Sequence, residues 1–170
     1  MLKKILLIFA IVLLTAPLFA QDVEYDSIST YYLIRHAEKD RSDASNKDPD
    51  LTENGVLRAK RWSELLKQFQ IDAVYSTNYK RTLNTALPTA THNHLTIKKY
   101  HPVKIDMQQF LKDTKGKNIL IVGHSNTTPG FVNNLIGREI YSDIDDSNNA
   151  NLYIVTIKGG QIGHVLIKMK

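Results

Sequence analysis

Residues 30–38 read TYYLIRHAE, and the change of character inside this stretch decides the fold. Thr30 to Ile34 is β-branched and aromatic with no polar alternation, the composition of a strand buried on both faces. Arg35, His36 and Glu38 follow with no turn residue between, so the chain leaves the strand directly into chemically active side chains. Such strands belong to parallel sheets, and sites in open α/β sheets gather beyond the carboxyl ends of the strands. The same pattern recurs twice. AVYST (residues 73–77) leads to Arg81, and NILIVG (118–123) runs into His124-Ser125-Asn126-Thr127.

Working outward, helical patterns separate the strands. Thr52 is a plausible N-cap, and Val56, Ala59, Trp62, Leu65, Leu66 and Phe69 recur at helical spacing as a core-facing stripe. Residues 71–75 form the second strand, 79–90 a helix, 97–100 a short strand and 106–111 a short helix. Residues 128–135 are helical, with Pro129 tolerated in the first turn. Residues 151–157 and 162–168 flank Lys158-Gly159-Gly160, which reads as a closing hairpin. The polar run from Glu38 to Asp50 is a surface loop. Strands alternating with helices predict a single three-layer α/β/α sandwich over residues 30–170. Its sheet is mainly parallel, with the last strand antiparallel.

Composition excludes several classes. The chain has 170 residues, 42% of them apolar, and no cysteine, so disulfide scaffolds, thiolate metal sites, cysteine nucleophiles and lipidated cysteines drop out. Met1 to Ala20 has a positive Lys3-Lys4 start, an apolar run from Ile5 to Leu14 and a small residue before Gln21. That is the layout of a signal peptide cleaved after Ala20, followed by an exposed lead-in over 21–29. An exported protein follows, periplasmic or extracellular, with no stable membrane association after cleavage. Without Lys3 and Lys4, 20 basic residues face 17 acidic ones, too slight an excess for a nucleic-acid partner.

Two arginines and two histidines at strand ends suit phosphoryl chemistry. A phosphomonoester carries close to two negative charges, which guanidinium forks bind while staying charged. An imidazole can attack phosphorus and hold the phosphoryl group covalently. Fixed positive charge then stabilises the transition state with no metal or other cofactor. His92-Asn93-His94 offers two histidines without a third ligand, so it reads as exposed loop.

Four ordered motifs carry a family resemblance. They are Arg35-His36, Leu51-Thr52-x-x-Gly55, Ser76-x-x-x-x-Arg81-Thr82-x-x-Thr85-Ala86, and Gly123-His124-Ser125. Together they resemble the histidine phosphatase, or phosphoglycerate-mutase-like, superfamily, in its compact RHAE-K form. The resemblance implies a phosphomonoester hydrolase in which His36 becomes phosphohistidine and Arg35, Arg81 and His124 complete the phosphate pocket. Ala37 stands where Gly is common. The proton donor stays open among Asp106, His101 and Glu38. Lys39, Arg41, Ser125 and Asn126 are further substrate-binding candidates. The implied substrate is a phosphorylated small molecule, glycan or protein, and export favours a phosphatase over a mutase.

Two other readings compete. A non-catalytic module could hold a phosphorylated partner with the same arginines. Alternatively, Gly123-His124-Ser125-Asn126-Thr127 nearly matches a serine-esterase elbow but lacks the final Gly. An esterase would need Ser125 with Asp143, Asp145 or Asp146 and His164, and it leaves Arg35, His36 and Arg81 without a task.

Overall fold

The computed structural model describes residues 27–169. The expected signal segment and most of the lead-in lie outside the described residues. Ten elements follow in order: β1 (Ser29–Arg35), α1 (Glu53–Leu66), β2 (Ala73–Ser76), α2 (Lys80–His92), β3 (Ile97–Lys99), α3 (Met107–Asp113), β4 (Asn118–Gly123), α4 (Thr127–Ile136), β5 (Asn151–Lys158) and β6 (Gln161–Lys168).

The six strands form one sheet in the order β3-β2-β4-β1-β5-β6. β3, β2, β4 and β1 are parallel, while β5 runs against β1 and β6 against β5. Gly159 and Gly160 make the β5–β6 turn with φ of 53° and 78°, a left-handed pair that matches the twist of a two-residue hairpin.

Strand alternation sorts β1 between two cores. Tyr31 and Leu33 pack with Phe110 of α3 and Phe131 and Val132 of α4. Tyr32 and Ile34 pack on the other face with Trp62 and Leu66 of α1 and Ala86 of α2. Both faces of β1 are therefore dry, as its unbroken apolar run predicts. The three layers are α1 and α2, the sheet, and α3 and α4.

The stripe read on α1 needs correction. Thr52 does cap it, its hydroxyl accepting from the Gly55 amide at 3.1 Å. The buried residues, however, are Gly55, Ala59, Trp62, Ser63 and Leu66, while Val56 is 43% exposed. Phe69 lies beyond the helix at 37% exposure, with its ring 4.9 Å from that of Tyr32. Backbone closeness rotates the stripe. A Cβ on Gly55 would come within 2.2 Å of the Glu38 carbonyl oxygen, so the first turn of α1 presses a glycine against the chain leaving β1.

Candidate active site

The carboxyl ends of β2, β4 and β1 lie side by side and deliver Arg81, His124 and the Arg35-His36 pair to one place. The His36 and His124 ring centroids are 5.5 Å apart.

His36 is pinned from three sides. Its amide donates to Gly123 O at 2.9 Å, extending the β1–β4 ladder by one bond. Its carbonyl accepts from the Asn149 side chain at 2.8 Å, and the Ala37 amide donates to Thr85 Oγ1 at 2.9 Å. The ring's Nδ1 donates to Ala37 O at 2.7 Å, which places the free lone pair on Nε2. Burial first, and then the charges of Arg35 and Arg81, pull this imidazole down to about 3, despite the opposing bond to Ala37. At neutral pH it is an uncharged base held in one orientation.

Arg35 is the most enclosed cation. Its side chain is 2% exposed. Nη1 donates to Asp145 O at 2.9 Å and to Asn148 O at 3.0 Å, and Nη2 donates to Asp146 Oδ1 at 2.5 Å. Nε alone is left buried without a partner. Asp146 also accepts from Arg41 through Oδ2 at 2.8 Å. The bond from Arg35 outweighs partial burial and holds the Asp146 carboxyl below its ordinary value, so this acid remains ionised.

Arg81 is held loosely. Its guanidinium lies 4.4 Å above the Tyr79 ring, Nη2 reaches His124 Nδ1 at 3.4 Å, and Asp48 stands 3.6 Å from Nη1. Nε and Nη1 are buried without a hydrogen-bond partner. Since arginine can only donate, His124 Nδ1 accepts, and Nε2–H is directed to Thr77 Oγ1 at 2.9 Å. Burial first, then Arg81 and Arg35, lower the His124 imidazole to about 4. His124 was expected to offer a donor to phosphate. In this structure its two nitrogens instead orient Arg81 and tie it to the Thr77 turn, so reaching phosphate requires an exchange of partner.

A cavity of about 700 Å³ opens beside Arg81 and His124, lined further by Thr77, Tyr79, Lys99, Tyr100, His101 and Asn126. Small-molecule sites run to roughly 300–1,000 Å³. Gly123 lets the α4 turn close on the cavity floor, since a Cβ there would meet Thr128 Oγ1 at 2.8 Å.

The three proton-donor candidates separate. His101 lines the cavity, with Nδ1 accepting from the Val103 amide at 3.3 Å. Asp106 caps α3, accepting from the Gln108 and Gln109 amides at 3.0 Å, and borders a neighbouring hollow. Glu38 accepts from Arg58 Nε at 2.7 Å; burial pushes its carboxyl up, but the Arg58 bond prevails and keeps it below the ordinary value. A carboxylate held ionised is a poor acid, and its Arg58 pair ties the chain leaving β1 to α1.

Of the remaining candidates, Asn126 lines the cavity and Arg41 reaches the site through Asp146. Lys39 bridges to Leu51; burial first, then Arg41 and Arg81, lower its ammonium. Ser125 contributes its carbonyl to the Ile144 amide at 2.8 Å. His164 shares a 2.8 Å hydrogen bond between Nδ1 and the Tyr141 hydroxyl on the β5–β6 hairpin. His92 and His94 are exposed at the far end of α2, and no three His, Asp or Glu side chains gather as a metal would need among the described residues.

Residues 31–102 match the Histidine phosphatase superfamily (branch 1). Phosphoserine phosphatase 1 of Hydrogenobacter thermophilus is 37% identical over 79 residues, which cover 44% of this chain and 37% of that protein. The likeness thus spans little more than a third of that relative's length. Among solved structures, the protein histidine phosphatase SixA complexed with tungstate superposes with a TM-score of 0.64 at 16% identity, covering 82% of this chain and 96% of that one. Bacillus stearothermophilus YhfR gives 0.62 at 15%, covering 79% and 94%. These structural likenesses carry the fold. The sequence match to that superfamily spans β1 to β3, the part of the chain that holds Arg35, His36 and Arg81.

Proposed function

We propose that the chain is a phosphatase that transfers a phosphoryl group from a monoester to His36 Nε2 and then to water. One observation carries this reading: an uncharged, rigidly oriented imidazole lies beside three buried guanidinium nitrogens, Arg81 Nε and Nη1 and Arg35 Nε, that have no hydrogen-bond partner. Buried unpaired donors on cations are costly, and a phosphoryl group would satisfy them.

In the first step the Nε2 lone pair forms a P–N bond as the ester P–O bond breaks. The departing oxygen takes a proton relayed from solvent by His101, which lines the cavity. In the second step water attacks phosphorus, the P–N bond breaks, inorganic phosphate leaves, and the water proton returns to His101. Fixed arginines stabilise the charge at both steps, and the proposal includes no metal. Export after cleavage at Ala20 belongs to the same proposal and rests on the Lys3-Lys4 start and the apolar run.

The test is phosphate release from p-nitrophenyl phosphate by the chain from Gln21 onward. Activity that survives EDTA supports the reading. Abolition by EDTA with restoration by zinc or magnesium contradicts the metal-free step. A second reading, a phosphate-binding module, is favoured by the absence of a carboxylate acid among the described residues lining the cavity. Phosphate binding without turnover of any ester would select it. Intact mass of the exported protein tests processing, which fails if the full chain is recovered in membranes.

A further inference from the structure

The two edges of the sheet are finished differently. β3, at one edge, is three residues long and ends in Lys98 and Lys99; shortness and lysines are what keep an open edge from pairing. β6, at the other edge, runs for eight residues with no proline and its one lysine at the last position. It meets β5 in eight consecutive pairs without a bulge, so this edge is long and regular. Val165, Ile167 and Met169 are 48%, 39% and 39% exposed along it. Backbone parity determines what the open side offers. The Met169 amide donates to Ala150 O at 2.9 Å, one step beyond the ladder, so the odd-numbered residues of β6 turn their backbone groups to β5. Ile162, His164, Leu166 and Lys168 therefore present theirs outward, where no further strand follows among the described residues.

We propose that the protein forms a two-fold dimer in which β6 pairs antiparallel with β6 of a second copy. The strand is complementary to itself in one register. With Val165 on the two-fold axis, outward residues meet outward residues: Ile162 of one copy faces Lys168 of the other, and His164 faces Leu166. On the opposite face of the ribbon Val165 meets Val165, and Gly163 lies across from the branched Ile167. No like charges oppose each other. Moving the axis to His164 would set two imidazoles face to face, and moving it to Leu166 would set His164 against Lys168. β6 runs parallel to β1, since both oppose β5. Antiparallel pairing therefore points the two sets of carboxyl strand ends in opposite directions, and both cavities stay open. Seven strand pairs with three exposed apolar side chains per copy fall short of the roughly 800 Å² per partner of standard interfaces, so the dimer is reversible. Neither the pairing nor its test depends on phosphatase activity.

Sedimentation equilibrium of the chain from Gln21 onward reads the pairing. Between roughly 1 μM and 500 μM, wild type should rise from the monomer mass to about twice that mass. Val165→Lys brings two ammonium groups together on the axis and should stay monomeric over the same range, with an unchanged circular dichroism spectrum. Ile162→Pro removes one outward amide, leaves the β5 ladder intact and should weaken the dimer in the same direction. The chain has no cysteine, so single cysteines report the register directly. Antiparallel partners that are not hydrogen-bonded to each other have Cα atoms about 4.5 Å apart, within disulfide reach. Val165→Cys should therefore cross-link into a covalent dimer under mild oxidation. Ile162→Cys should not, because the proposed register holds its two copies about 20 Å apart. A wild type that stays monomeric to 500 μM would overturn the proposal and leave this edge to a different extended chain. A dimer that survives Val165→Lys, or cross-linking at position 162 in place of 165, would overturn it equally.

Discussion

Arg35 and Arg81 stand at the ends of two strands separated only by β4, yet their surroundings are opposite. Arg35 has both terminal nitrogens bonded to the segment from Asp145 to Asn148, and one nitrogen is left over. Arg81 is 12% exposed, with one long bond to His124 and two nitrogens left over. One wall of the site is therefore built as structure and the other is left poised for a ligand. The wall that bears the proposed nucleophile is the rigid one: Asn149, next to the segment that holds Arg35, also fixes the His36 carbonyl. A phosphoryl group would thus meet a fixed nucleophile on one side and an adjustable cation on the other.

The strongest way to break this comparison is to remove the nucleophile. His36→Ala should lower kcat/KM by about a thousandfold or more, since the covalent path is lost. Circular dichroism should show an intact fold.

Next come the two arginines, on which stability and activity should part. Arg81→Ala removes two unpaired donors, and at roughly 1.5–3 kcal/mol per charged hydrogen bond to phosphate the loss in kcat/KM is about a hundredfold or more. Its melting temperature should hold or rise, because no strong native bond is broken. Arg35→Ala should lose activity and also melt earlier, by about 2–4 kcal/mol of stability for its three bonds. Equal melting for the two variants would remove the distinction between the walls.

A smaller effect is expected at Asp146, whose side chain is 64% exposed although it pairs with both Arg35 and Arg41. Asp146→Asn keeps an acceptor and removes the charge, so KM for a dianionic ester should fall by about two- to fivefold. A fall in kcat at constant KM would instead make Asp146 a positioning residue for Arg35.

These distinctions were unevenly legible. Arg35, His36, Arg81 and His124 announce themselves because each ends or follows a strongly apolar strand, and parallel strands align their carboxyl ends. Thr85 and Gly55 sit inside the recognised motifs, and each proves to contact the chain leaving β1. The segment from Asp145 to Asn149 had no such signal. It reads as polar surface loop, and its bonds to Arg35 and His36 span 110–113 positions, beyond any local periodicity. The buried side of α1 was misread for a related reason: Gly55 and Ser63 face inward, and small residues are invisible to an apolar-stripe reading.

The smallest expected change is in pH dependence. His36 at about 3 and His124 at about 4 are both lowered, so each is fully neutral above the ordinary histidine range and gains its proton only in acid. After allowance for the substrate's second ionisation near pH 6, kcat/KM should stay flat from pH 7 to about pH 5. An acid limb at an ordinary histidine value near 6.5 would mean that burial does not hold these rings neutral.

The central claim, a covalent phosphoryl group on His36, is tested by trapping it. Wild type and His36→Ala are mixed rapidly with labelled p-nitrophenyl phosphate and quenched in alkaline denaturant, which preserves phosphohistidine. The account predicts acid-labile, alkali-stable label on wild type, mapped to the peptide containing His36, and none on the variant. Turnover by wild type with no trapped label, or near-normal turnover by His36→Ala, would contradict it.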